Sequence, residues 1–190
     1  MKKIFLFTAF IFLLSACNST REQSETGEKK EPARFDYELN HDLYATLEFH
    51  TVANDGTSSL LKASRPYTIP KGTPVKVVAA ITNKGEKDFV FEGNPCSGKL
   101  TVSVTNNEQT FRLSGQGNVT PDVCTAQLVT HTLKKGETLE AEAVFETDYD
   151  ELAVAPEEAG EEPSMNPFNA VAAYGEERFS STFEIEETNE

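Results

Sequence analysis

Tryptophan is absent from the 190 residues, and histidine, cysteine and methionine are scarce, at 3, 3 and 2. Without Trp, the core falls to Phe, Leu, Val, Ala and Ile, which suffices for a domain of this size without help from a metal. His41, His50 and His131 are scattered, and no pair has the helical spacing of a metalloenzyme. Only Met165 remains once Met1 is set aside, too little thioether for a soft copper site. Basic residues are few as well: Lys and Arg number 17 against 31 Asp and Glu, a formal charge of −14. Phosphate binding relies on Lys and Arg clusters, so nucleic acid is disfavoured as a partner. Direct adhesion to anionic lipid is disfavoured for the same reason. No internal repeat and no long amphipathic helical window is present.

What is there begins with the leader. Lys2 and Lys3 give a positive end, Ile4 to Leu14 is uncharged and mostly Phe, Leu and Ile, and Leu14-Ser15-Ala16-Cys17 closes the segment. That order describes a secretory signal, and its last four residues look like a bacterial lipobox. The apolar run reaches roughly 17 Å as helix, short of a hydrocarbon core about 30 Å thick. Cleavage rather than retention as a membrane span is therefore expected. The thiol of Cys17 is the one atom here able to form a thioether to diacylglycerol. Each buried CH₂ contributes about 0.8 kcal/mol and stable anchoring takes about two chains, so such a cysteine holds its protein on the extracytoplasmic face of the cell membrane. Loss of Lys2 and Lys3 leaves 15 basic against 31 acidic side chains. The expected organisation is a signal peptide at 1–16, a lipidated cysteine and disordered linker at 17–34, and one domain at 35–190. The linker has no large apolar side chain and cannot offset its ordering entropy. About 17 flexible residues reach on the order of 20–25 Å.

With Cys17 committed to lipid, Cys96 and Cys124 form an even pair in an oxidising compartment, where a disulfide is the natural reading. Two free thiols are the other reading, in an envelope with little oxidase activity.

The domain reads as strands. Leu43, Ala45, Leu47, Phe49 and Thr51 alternate with Tyr44, Thr46, Glu48, His50 and Val52, the period of a half-buried strand. Residues 60–69 are less regular, and Pro66 limits them to an edge or a connection. Val75 to Ile81, Phe89 to Phe91, Leu100 to Val104, Leu139 to Phe145, Ala170 to Tyr174 and Phe179 to Ile185 continue the pattern. Asn106-Asn107 predicts a hairpin to Phe111 and Leu113. Residues 114–121 read as a Gly-rich loop and 123–133 as extended chain. Helix is expected only as a turn or two near Glu151 or Asn166. About seven to nine short strands with turn signals every 8–12 residues indicate an all-β, antiparallel two-sheet immunoglobulin-like sandwich.

The segment Val75-Lys-Val-Val-Ala-Ala-Ile-Thr-Asn83, then Gly85 and Phe89-Val-Phe91, resembles the strand, "TN-x-G", strand opening of bacterial immunoglobulin-like envelope modules. Leu133-Lys-Lys-Gly136-Glu-Thr-Leu139 is similar to their "L-x-x-G-x-x-L" approach to the next strand, and 170–185 to their closing hairpin. Among named families the resemblance points to the BsuPI-type proteinase inhibitor domain, over about residues 70–186. It implies a sandwich and, for function, protease inhibition. The leader, the lack of Trp, the cysteine pair and an acidic insertion depart from that pattern.

Other motifs carry less chemistry. Gly93-Asn-Pro-Cys-Ser-Gly98-Lys99 has the spacing of a phosphate loop, but Leu100 stands where a Ser or Thr should hold Mg²⁺ and strand follows where helix should. Gly115-Gln-Gly117 lacks the third glycine of a dinucleotide fingerprint. Asn118-Val-Thr120 has the form of a glycosylation acceptor, a chance match in a bacterial lipoprotein. His50 and His131 meeting across the sheets near Cys96 or Cys124 would make a Zn or Cu site. The acidic loop 147–168 holds Asp148, Asp150 and Glu151 as candidate Ca²⁺ ligands, although the EF-hand order is missing. A solvated loop and a partner-contacting element are its other readings. No constellation for nucleophilic or paired-carboxylate catalysis is readable.

These features together lead to a lipid-anchored, non-catalytic binding or assembly module of the bacterial cell envelope. It has no cofactor and no assigned metal, and its partners are the membrane, through lipid on Cys17, and another envelope protein. A proteinase-inhibitor-like protein and a metal-binding lipoprotein are the alternatives.

Overall fold

The computed structural model describes residues 30–107, 111–148 and 167–186. Fourteen strands occur in them: β1 Glu31–Pro32, β2 Arg34–Glu38, β3 Leu43–Val52, β4 Ser58–Leu60, β5 Lys62–Ala63, β6 Thr68–Pro70 and β7 Val75–Asn83 form the first half. The second half is β8 Phe89–Gly93, β9 Thr101–Asn106, β10 Gly115–Gly117, β11 Val129–Leu133, β12 Thr138–Phe145, β13 Phe168–Tyr174 and β14 Glu177–Glu186. A single 3-10 turn, Asn40–Asp42, is the helical element among the described residues. Cys17, the leader and residues 149–166, with Asp150 and Glu151, lie outside the described residues.

The protein is an all-β sandwich. One sheet runs β10-β12-β7-β3-β2, with β4 on the end of β3; the other runs β6-β14-β13-β9. Among the described residues every pairing between strands is antiparallel except β6 with β14. The alternation in the sequence becomes the core. Leu43, Ala45, Leu47 and Phe49 of β3 are buried with Val75, Val77, Ala79 and Ile81 of β7, and they face Phe168, Ala170, Ala172, Phe179 and Phe183 of the second sheet. Phe49 and Phe183 meet edge to face, with ring centroids 5.2 Å apart. Each Leu, Ile, Val or Phe among them contributes about 1.5–3 kcal/mol on removal from water.

Three elements differ from the sequence reading. The folded body begins inside the stretch composition assigns to the linker, because Ala33 is fully buried and its N–H donates to the Leu61 carbonyl. One small apolar residue joins the core without raising the local hydrophobicity. Gly115–Gly117, read as loop, is an edge strand on β12. The absence of side chains permits that approach: a β-carbon on Gly117 would stand 2.5 Å from the Glu142 carbonyl oxygen. In 123–133 only Val129–Leu133 pairs, with β8. The Asn106 hairpin forms as expected, closed by Asn106 N–H to Phe111 O and Leu113 N–H to Val104 O, each 2.9 Å.

The feature that positions the candidate site is a bend. β7 and β12 pair up to Thr82 and Thr138, and their continuations β8 and β11 pair again from Phe89 and Leu133 as a separate ribbon. Asn83, buried at the corner, staples the bend. Its Nδ2 donates to Lys87 O at 2.9 Å and Leu133 O at 3.0 Å, and its Oδ1 accepts from Gly85 N–H at 3.0 Å.

Candidate functional site

The far end of the β8–β11 ribbon carries the cysteine pair. Cys96 and Cys124 are joined by a disulfide, their Cα atoms 6.2 Å apart. The ribbon thereby fastens the 94–99 turn to the irregular chain that precedes β11. Asn94 organises the turn: its Oδ1 accepts from the N–H groups of Cys96 at 3.0 Å and Ser97 at 3.1 Å. That is the Asx-type turn expected of an Asn whose side chain reaches the backbone two residues on. The same Oδ1 lies 3.2 Å from the Cys124 sulfur.

His131, from β11, completes the arrangement. Its Nε2 is 2.9 Å from the Asn94 carbonyl oxygen; a carbonyl only accepts, so Nε2 carries the hydrogen. The ring lies 5.1 Å from Phe91, which in turn meets Tyr174 edge to face at 5.2 Å. Gly175 N–H donates to Ser97 O at 3.0 Å, tying the turn to the β13–β14 hairpin. Gly175 has φ +63 and a β-carbon there would meet the Phe91 ring at 2.9 Å, so conformation and space both call for glycine. Burial raises the Tyr174 hydroxyl above its ordinary pKa, with the charge of Glu137 adding to the rise.

The chain from Pro121 to Leu128 is exposed except at Cys124. Among the described residues its backbone makes no hydrogen bond to the body. It is held by the disulfide, by Arg112 to Asp122 at 2.9 Å, and by its run into β11. Val123 and Leu128 on it are 86% and 70% exposed, the largest values among the described large apolar residues. Exposed apolar side chains on an unpaired backbone are what a partner's sheet edge or cleft can cover.

On the other side of the ribbon, β8 borders an open groove of about 700 Å³. Among the described residues, Asp42, Glu86, Asp88, Glu92, Glu176 and Glu177 line it, with Lys87 the single cation. Asp42, at φ +61, accepts Lys84 N–H on its carbonyl and so fixes the 3-10 turn against the Asn83 corner. Glu86 pairs with Lys135 Nζ at 2.7 Å and Asp88 accepts from Lys135 N–H at 2.8 Å.

The remaining candidates fall elsewhere. His50 is hydrogen-bonded to Glu48 at 3.0 Å, and His131 to Asn94, so the two histidines have separate partners. Among the described residues no group of three or more His, Cys, Asp or Glu is placed to hold a metal ion. Asp148 is exposed, and Thr147 at the start of the acidic stretch is buried, donating to Thr73 O at 2.8 Å. Lys99 leads through buried Leu100 into β9, so the Gly93–Lys99 turn opens a strand and offers no helix N-terminus to a phosphate. The sequence reading had no place for Asn94, for the packing of His131 on Gly98, or for the β8 groove. The Asn94-Pro95 step was the visible signal for the first; the other two depend on strand pairing. Compared with protein-family models and with curated proteins, the chain matches none.

Proposed function

We propose that the protein is a lipid-anchored, extracytoplasmic and non-catalytic module of a bacterial cell envelope, which binds or helps to assemble another envelope protein through the disulfide-clamped end of its sandwich. The leader and its Leu14-Ser15-Ala16-Cys17 ending support the anchor. The Cys96–Cys124 bridge is of the kind that persists outside the reducing cytosol. The observation that carries the binding role is the clamp itself: a covalent bond holds an unpaired, exposed segment with Val123 and Leu128 outermost. Preorganisation of that kind lowers the ordering cost of association.

Affinity recovery from crosslinked envelopes tests this reading. The wild type should retain a discrete partner that the Val123→Glu, Leu128→Glu variant loses at equal abundance. Recovery of the same partner by both chains would overturn the assignment of the contact face.

A second reading, protease inhibition, is favoured by the same segment. An exposed stretch without backbone partners among the described residues is open to a protease cleft, and the bond at Cys124 would keep the cut chain tied to Cys96. Stoichiometric inhibition of a subtilisin-, trypsin- or elastase-type enzyme with an intact 121–128 segment supports it. Rapid nicking there without inhibition removes it.

A further inference from the structure

We infer that a second copy of this chain docks on the outer edge of β11, so that the uncharged run 123–133 pairs antiparallel with its own copy about Leu128. This goes beyond the binding-module reading and does not depend on it.

The edge comes first. Among the described residues β11 pairs with β8 and with no other strand, and the backbone of 121–128 makes no hydrogen bond to the body. Alternate residues of β11 therefore direct their N–H and C=O away from β8. Among the described residues 121–133 has no further hydrogen bond, ion pair or ring contact there. Thr130 and Thr132 are exposed, as are residues 125–128, and neither turn nor bend interrupts the chain from 123 to 129. Proteins usually blunt such an edge with charge, proline or short length. β2 is blunted in this way by exposed Arg34, Asp36 and Glu38, and β6 and β10 by having three residues each. The run 123–133 has no Asp, Glu, Lys, Arg or Pro, in a chain that is 25% charged. Its edge is left as a template for another strand.

The charge pattern selects the occupant. Asp122 precedes the run and Lys134 follows it, and Leu128 is the midpoint, six residues from each. Two copies laid antiparallel about Leu128 bring Asp122 of each opposite Lys134 of the other. No carboxylate then faces a carboxylate along the paired strands, although each chain carries a net charge of −14. A parallel copy would set Asp122 beside Asp122 and Lys134 beside Lys134. Leu128, 70% exposed, meets its own copy across the axis, at the roughly 4.5–5.5 Å spacing of directly opposed β-carbons. The disulfide at Cys124 holds the unpaired half of the run on the body, next to the half that is already strand. A neutral strand from another protein would pair with the backbone but leave both terminal charges without opposites, so complementarity favours the second copy. Val123 and Leu128 lie on this same face, so the pair and an envelope partner exclude one another there.

Sedimentation equilibrium on the chain from residue 17 onward, left unacylated by Cys17→Ser and with its disulfide intact, tests the pairing. A reversible monomer–dimer equilibrium is expected at micromolar to sub-millimolar concentration. Leu128→Lys places two ammonium groups at the axis and should weaken the dimer at least tenfold, with an unchanged urea midpoint because the side chain is exposed. Asp122→Lys and Lys134→Asp each set like charges opposite one another and should weaken their own dimers at least threefold. An equimolar mixture of those two variants restores both opposite-charge pairs and should dimerise with near wild-type strength. A wild type that stays monomeric would overturn the inference. A dimer that Leu128→Lys leaves unchanged, or a mixture no stronger than either charge variant alone, would overturn this edge and its antiparallel register. A monomeric wild type that retains an envelope partner refutes the pair and leaves the binding module standing; a dimer with the expected variant behaviour and no envelope partner upholds the pair and refutes that reading.

Discussion

Gly98 packs against the imidazole of His131 with no room for a side chain. A β-carbon there would fall 2.9 Å from Cγ and closer still to Nδ1 and Cε1. The ring cannot retreat freely, because its Nε2 is held by Asn94 O and its other side by Phe91. One glycine and one histidine thus set how the disulfide turn lies on the β8–β11 ribbon.

Gly98→Ala should therefore destabilise the domain by about 1–3 kcal/mol, the usual effect of overpacking. His131→Ala should cost less when Ala already stands at 98, with a coupling on the order of 0.5–3 kcal/mol. Urea unfolding of the two single variants and the double variant measures it. Strict additivity would show that the two residues do not share the space.

Asn83→Ala should remove three hydrogen bonds from a buried corner. The carbonyls of Lys87 and Leu133 and the Gly85 amide would lose their partner. A loss of about 2–4 kcal/mol is expected from unsatisfied buried groups. Because the bend holds the ribbon, amide exchange should accelerate in β8 and β11 before it does in β13.

Replacing Cys96 and Cys124 by Ser opens a loop whose ends are 28 residues apart in sequence. The chain-entropy account gives a loss of roughly 3.5 kcal/mol. In the wild type, alkylation should modify neither cysteine until a reductant is added. Immediate labelling of both would show free thiols in the isolated protein.

Stability should fall above about pH 10. Burial raises the Tyr174 hydroxyl above its ordinary value, and Glu137 adds to the rise. The folded state thus holds the proton more tightly than the unfolded chain. The contribution is fully present below the unfolded pKa and is lost as pH rises through the folded one. Tyr174→Phe keeps the ring on Phe91 and removes the titration. Its stability should decline less than that of the wild type above about pH 10, measured by urea midpoints; parallel curves would dissociate Tyr174 from the effect.

The sheets were legible because their residues obey a period of two: Leu43 to Phe49, Val75 to Ile81 and Phe168 to Tyr174 alternate buried and half-exposed as the sequence alternates. The cysteine pairing was legible because two cysteines remain beside Cys17. What stayed hidden depends on long-range pairing. Gly115–Gly117 reads as loop because its strand character comes from β12 and from the space beside Glu142. Ala33 is one small side chain in a polar run, buried by Leu61 and Phe49 meeting it from elsewhere in the chain. The carboxylates of the groove are separated by up to 135 positions, from Asp42 to Glu177, and no local pattern joins them.

The proposed anchor underlies the rest of the functional account, since membrane attachment outside the cytosol would account for the bridge and for the proposed envelope partner. Metabolic labelling with palmitate in a lipoprotein-competent bacterium tests it directly. The wild type should incorporate label and sediment with membranes, and Cys17→Ala should do neither. Equal labelling of both chains, or an unlabelled wild type in the cytosol with its leader intact, would contradict the account.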